Sequence, residues 1–207
     1  MLINCVYACL QIMITPYLLD TFEIPLSVGG TVLVSLSAGI AVGSVVSGAL
    51  TQSGICNAYT QMAFGAGSVA LGLLLLFPNP SLTFFYGNIR YLAYPAVLLC
   101  GIGDPVITVP TLRAITDLQI MIKGKCTGKN SISLFSVWMM ASWGAMYSGT
   151  IVGGFMMEYL SYLSGAYILV SFSCVSIVIC FVVNVVMRNV NPNVYVSVVN
   201  QAQTTPV

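Results

Sequence analysis

Apolar residues run along this chain in six long blocks separated by short polar breaks. A helix that crosses a bilayer needs about 20 mostly apolar residues for a hydrocarbon core of roughly 30 Å. The blocks that meet this length predict membrane helices at about residues 1–19, 26–50, 56–77, 91–115, 131–157 and 162–187. The first is interrupted by Pro16, and the fourth carries Pro95, Pro105 and Pro110. The expected fold class is therefore an all-α membrane protein of about six transmembrane helices. Residues 1–190 make one bundle, and the polar stretch 191–207 reads as a disordered cytoplasmic tail.

The polar breaks set an orientation. Cytoplasmic loops collect Lys and Arg. Placing Lys123, Lys125 and Lys129 in the cytoplasm puts Arg113 and Arg188 there as well and leaves Arg90 outside. Both termini then fall on the cytoplasmic side. The first apolar block starts at Met1 without a basic flank, so it reads as a membrane helix rather than a signal peptide. That start predicts a chain that is a piece of a longer one.

Small residues recur at four-residue spacing on two of these helices. Ser35, Gly39, Gly43 and Ser47 share one face of the second, and Ala141, Ala145, Gly149 and Gly153 one face of the fifth. Lipid tails give helices no hydrophobic reason to associate, so small residues that permit close backbone approach bring them together. Plain tight packing explains these ridges, and so do faces that slide over one another. The fourth helix predicts a different feature. Its three prolines, with Gly101 and Gly103, are expected to kink it and free backbone carbonyls, as in the discontinuous helices that line transport sites.

Composition narrows the chemistry. Of the 207 residues, 58% are apolar and 5% charged, far below the roughly 25% charged residues of a soluble domain. The net charge of +1 offers no basic stripe for nucleic acid. The absence of histidine removes imidazole proton relays and most zinc sites. Cys5, Cys9, Cys56, Cys100, Cys126, Cys174 and Cys180 include no CxxC pair, and most lie in apolar runs, so they read as small buried hydrophobes. No metal site or cofactor is expected, and no HExxH or GxSxG motif suggests an enzyme.

One residue stands apart. Asp20, Glu23, Asp117 and Glu158 fall at helix ends or in loops, whereas Asp104 falls well inside the fourth span. An ionised Asp near a helix centre costs about 2.5–3.5 kcal/mol on insertion scales. Such a carboxylate faces a cavity, finds a partner or changes protonation. Facing a cavity, it could hold a cationic substrate or a coupling proton. Hydrogen bonding to backbone freed by Pro105 is the alternative. Trp143 and Tyr147, four residues apart, could add aromatic faces that hold amines, as could Tyr7 beside Gln11. Ordinary packing or interfacial anchoring is the more economical reading of each of these aromatics.

The stretch Ser142-Trp143-Gly144-Ala145-Met146-Tyr147-Ser148-Gly149-Thr150-Ile151-Val152-Gly153-Gly154-Phe155-Met156-Met157-Glu158 resembles the eleventh helix of major facilitator superfamily transporters. It is most similar to the vesicular amine and polyamine transporter branch, with Thr150 where that branch has proline. Val109-Pro110-Thr111-Leu112 resembles the tenth helix, and Thr15-Pro16-Tyr17-Leu18-Leu19-Asp20-Thr21-Phe22 the end of the seventh. Gly48-Ala49-Leu50-Thr51-Gln52 resembles a loop motif of the superfamily, with Gln52 in place of its acid. The resemblance spans residues 10–190. It implies the C-terminal six-helix half of a proton-coupled antiporter of small organic cations in a vesicle or plasma membrane. It further implies that Asp104, Trp143 and Tyr147 touch substrate or proton. In the same reading Gly39, Gly43, Gly48, Pro110, Gly144, Gly149, Gly153 and Gly154 serve packing and conformational change. Such a half needs an N-terminal half or a second copy to enclose its site. The competing reading is a membrane scaffold or regulatory half-transporter that uses the same glycine faces and gives Asp104 no role.

Overall fold

A computed structural model describes residues 1–22, 26–53, 56–77, 89–123 and 128–190. They form six α-helices: α1 (Leu2–Phe22), α2 (Leu26–Ser53), α3 (Ala58–Leu76), α4 (Ile89–Lys123), α5 (Gly128–Tyr159) and α6 (Tyr162–Val190). Glu23, Lys125, the loop at 78–88 and the expected tail at 191–207 lie outside the described residues. Helix is the form these sequences must take in lipid, because it pairs every backbone N–H and C=O within the segment.

Five of the helices are long and apolar enough to cross a membrane, over Leu2–Asp20, Gly29–Ser53, Ala58–Leu76, Leu92–Thr116 and Tyr162–Val186. The expected sixth crossing corresponds to α5. Its 32 residues are ample in length, but it is not among the five apolar spans. Ser133, Ser136, Ser142, Ser148 and Thr150, with five glycines, dilute its apolar content.

Several helices outrun the expected spans. The apolar block at 91–115 becomes a 35-residue helix, about 52 Å at 1.5 Å per residue. A span read from hydropathy stops at the first polar residues, whereas the backbone ladder continues until something breaks it. The prolines do not break it. Pro95, Pro105 and Pro110 all lie inside α4, and Pro16 lies inside α1. α4 is one uninterrupted helix through all three prolines. Each proline removes a single N–H, and the flanking turns hold the helix across that gap.

Packing runs from α2 to α4 to α3 to α6 to α1 to α5, with α4 between α2 and α3. Residue pairs give the helix directions. Gly39 and Gly43 lie against Leu98 and Ile102, so α2 and α4 run parallel. Gly65 and Gly72 lie against Gly103 and Ala96, so α3 runs opposite to α4. Gly149 and Gly153 lie against Cys5 and Cys9, so α5 runs parallel to α1.

The core sits where α1, α3 and α4 meet α6. Leu10, Met13, Ile14 and Leu18 of α1, Leu73 and Leu76 of α3, and Leu169 of α6 are fully buried there. One polar cluster joins the ends of α2, α3 and α4. Gln61 donates from Nε2 to Ser47 Oγ at 2.8 Å and to the Ser47 carbonyl at 3.1 Å. Thr51 Oγ1 donates to Gln61 Oε1 at 3.2 Å, and Arg113 donates to the Thr51 carbonyl. The cation thus binds an orphan carbonyl in the last turn of α2, where the helix dipole favours positive charge.

The small residues singled out by sequence divide into two groups. At Gly39, Gly43, Gly149 and Gly153 an added Cβ would press on the neighbouring backbone. At Gly48, Gly144 and Gly154 a Cβ would meet nothing within 4 Å. Gly→Ala at the three open positions should leave stability unchanged or raise it by up to ~1 kcal/mol, since Ala is the better helix former. Thermal unfolding of each variant in detergent measures this. A loss above ~1 kcal/mol would show that those faces are covered.

Candidate functional site

Between α1, α4 and α5 lies a cavity of about 180 Å³. α1 contributes Asn4 and Tyr7, and α4 contributes Asp104 and Thr108. α5 contributes Trp138, Met139, Ser142, Trp143 and Met146. Helical spacing explains the grouping. Asp104 and Thr108 are four apart, as are Trp138, Ser142 and Met146, and as are Met139 and Trp143. Each set therefore lies one turn above the next on a single face.

Asp104 is the middle residue of the 25-residue span Leu92–Thr116. Its side chain is half-buried, and among the described residues no hydrogen bond or ion pair involving it is found. Pro105 follows it directly but turns to α2, where its Cγ lies 2.7 Å from the position a Gly43 Cβ would take. The alternative in which Asp104 binds backbone freed by that proline thus has no hydrogen bond to support it among the described residues.

Two further polar groups lie at the cavity. Tyr7 and Ser142 are only 4% and 8% exposed; among the described residues the Ser142 hydroxyl makes no hydrogen bond, and the Tyr7 hydroxyl has only Gln11 of its own helix nearby. A buried unpaired hydroxyl loses its water and gains nothing in return. The remaining lining is the polar Asn4 and Thr108 with Trp138, Met139, Trp143 and Met146. A carboxylate, two buried hydroxyls and two indole rings make a recess suited to an organic cation with an apolar body. The carboxylate answers the charge, and the rings answer both the charge and the apolar surface.

Trp143 and Tyr147 separate at this point. Trp143 lines the cavity with one face and is 63% exposed overall. Tyr147 is 72% exposed and is not among the residues that line the cavity. If the cavity takes organic cations, Trp143→Ala should weaken binding of butylamine by about five- to thirtyfold, the equivalent of ~1–2 kcal/mol of cation–π attraction. Tyr147→Ala should leave it unchanged. Calorimetric titration of both variants distinguishes them, and equal losses would place Tyr147 back in the site.

Sequence reasoning passed over Asn4, Thr108, Trp138, Met139, Ser142 and Met146. The four-residue spacing of Trp138, Ser142 and Met146 was readable. Which face of α5 turned towards Asp104 was not.

Pro110 is buried in α4, one turn below Val106 and away from the lining. Gly39, Gly43, Gly149 and Gly153 stand behind the cavity walls and set the distance between helices. Among the described residues no group of three metal-ligating side chains occurs.

Five apolar spans and a carboxylate at the middle of one define a helical chain of the multi-pass membrane type, with a polar recess between three of its helices. Comparison of the chain with family models, curated proteins and solved structures yields no match.

Proposed function

We propose that this chain is a secondary active transporter, or the C-terminal half of one, that exchanges small organic cations such as amines or polyamines for protons. The observation that carries the reading is Asp104, a carboxylate that makes no hydrogen bond among the described residues, feels the charge of the Met1 ammonium and lines a cavity beside two indole rings. A fixed anion at the middle of a span is costly to insert, and an intramembrane acid of this kind marks a substrate or proton path. One group can serve both cargoes in turn, because a proton and an organic cation compete for the same carboxylate. The resemblance of Ser142–Glu158 and Val109–Leu112 to amine transporter helices supports the same class.

In this reading all six helices cross the bilayer, α5 included, and both termini are cytoplasmic. The membrane is that of a vesicle or the cell surface. The wide exposed face of α5, with Met140, Trp143, Gly144 and Tyr147, meets an N-terminal half or a second copy of this chain. That partner completes the walls around the cation. Neither cofactor nor metal is required.

The test is uptake of labelled butylamine or spermidine by proteoliposomes with an acidic interior. Accumulation that collapses when the proton gradient is dissipated supports the proposal. Gradient-independent leakage, or none, in vesicles that hold the assembled protein would overturn it. The same exposed α5 face favours a second reading, a membrane scaffold that seats a partner and moves nothing.

A further inference from the structure

α1 is packed on nearly every side. Ile3, Val6, Leu10, Met13, Ile14 and Leu18 lie in the core shared with α3, α4 and α6. Cys5 and Cys9 lie against Gly149 and Gly153 of α5. Thr15 meets α2, where a Cβ added at Gly29 would lie 3.6 Å from Thr15 Cγ2. Over residues 3–18 of this helix one position is exposed, and it holds Gln11. Gln11 is also the middle residue of the span Leu2–Asp20, as Asp104 is of Leu92–Thr116.

The side chain at this opening says what lies over it. A primary amide carries two N–H donors and a carbonyl acceptor. In hydrocarbon none of them finds a partner, and the group loses the hydrogen bonds that water gave it. The exposed face of α6 shows the contrasting case, with Phe172, Val175, Val178 and Val182 turned outward. Polar residues at membrane depth face a bundle interior or a water-filled space.

Helical spacing ties Gln11 to the cavity. Asn4, Tyr7 and Gln11 stand three and four residues apart and share one face of α1. The first two line the cavity, and the Tyr7 hydroxyl lies beside Gln11. Tyr7 is buried and Gln11 exposed, so the polar face runs without interruption from the enclosed lining to the surface. On the α5 side Trp143 both lines the cavity and is exposed, which places it at the rim.

We infer that the opening at Gln11 is the aqueous mouth of the cavity, through which water and small polar solutes reach Asp104. Gln11 holds its amide in that water at the middle of the membrane, and Tyr7 continues the polar edge inward. The mouth serves the cavity whether its occupant is an organic cation or water alone, so its test needs no cargo.

The test uses membrane vesicles from cells that make the full chain, which keeps any partner in place. Freezing and thawing opens them to reagent from both faces. Gln11→Cys replaces an exposed side chain and leaves the core intact. Native Cys174 is the internal reference, because it is exposed too and is the middle residue of the span Tyr162–Val186. A trimethylammonium methanethiosulfonate reagent attacks the thiolate, which forms in water and is suppressed in apolar surroundings. Peptide mass spectrometry should therefore find Gln11→Cys modified at least about tenfold faster than Cys174. In the unmodified chain a water-soluble carbodiimide with an added amine should couple to Asp104. Capping Gln11→Cys beforehand should slow that coupling severalfold. Modification of Gln11→Cys at the rate of Cys174 would overturn the inference and place lipid or a partner over the opening. So would an Asp104 that the carbodiimide leaves untouched in the unmodified chain, or coupling that the cap does not slow.

Discussion

Under the proposed function, Asp104→Asn is expected to abolish measurable binding of butylamine to the reconstituted protein and, with it, gradient-driven uptake. Asn keeps the shape of Asp and removes its charge. Truncating one partner of a desolvated charge pair costs about 2 kcal/mol or more, so affinity should fall at least about 30-fold. Stability should move the other way. An ionised Asp inside a span carries an insertion penalty of about 2.5–3.5 kcal/mol, and Asn escapes much of it. No hydrogen bond from a described residue to Asp104 is lost to offset that gain. The variant is therefore expected to unfold at the same temperature as the parent or higher, while binding disappears. Calorimetry and thermal unfolding on one preparation read both quantities. Uptake at the parent's rate would remove Asp104 from the mechanism and favour the scaffold reading.

Gly39→Ala and Gly101→Ala each destabilise the bundle by about 1–3 kcal/mol, the range found when a methyl group is forced into a packed interior. The positions face each other across α2 and α4. A Cβ on Gly101 would collide with the Leu36 carbonyl and lie 3.1 Å from Gly39 Cα, and one on Gly39 would lie 3.1 Å from Gly101 Cα. Neither obstacle is a side chain that can turn aside. Helix propensity opposes the effect, since Ala is favoured over Gly by up to ~1 kcal/mol, so the sign of the result decides which force governs. The double variant should cost clearly less than the sum. The first methyl already separates the two backbones, and residues in direct contact do not add. Unfolding in detergent of both single variants and the double variant measures the cycle. Strict additivity would mean that the two helices do not share one contact.

Much of this architecture was legible in the chain. The six apolar blocks predict six helices because a segment in lipid has no other way to satisfy its backbone, and that requirement is local. Asp104 was legible for the same reason: a charge in an apolar run is anomalous whatever surrounds it. The four-residue ridges through Gly39 and Gly43 and through Gly149 and Gly153 announced close approach, because rows at that spacing share a helix face.

Helix ends were less legible. Hydropathy reports where lipid would stop, whereas the helix continues until its ladder does, as α4 does through Lys123. The three prolines of α4 lie inside the helix and do not end it. Periodicity could not say which neighbour each glycine face meets, so Gly48, Gly144 and Gly154 looked equivalent to Gly39 and Gly149 and are not.

The site itself was decided by tertiary structure. Tyr7, Asp104 and Ser142 come from three helices separated by 97 and 38 residues along the chain. Only the packing order brings them to one cavity. Trp143 joins it and Tyr147 does not because the rotation of α5 is fixed by Gly149 and Gly153 against α1. A single sequence records which side chains a helix carries, but the azimuth at which it presents them depends on the surface it packs against.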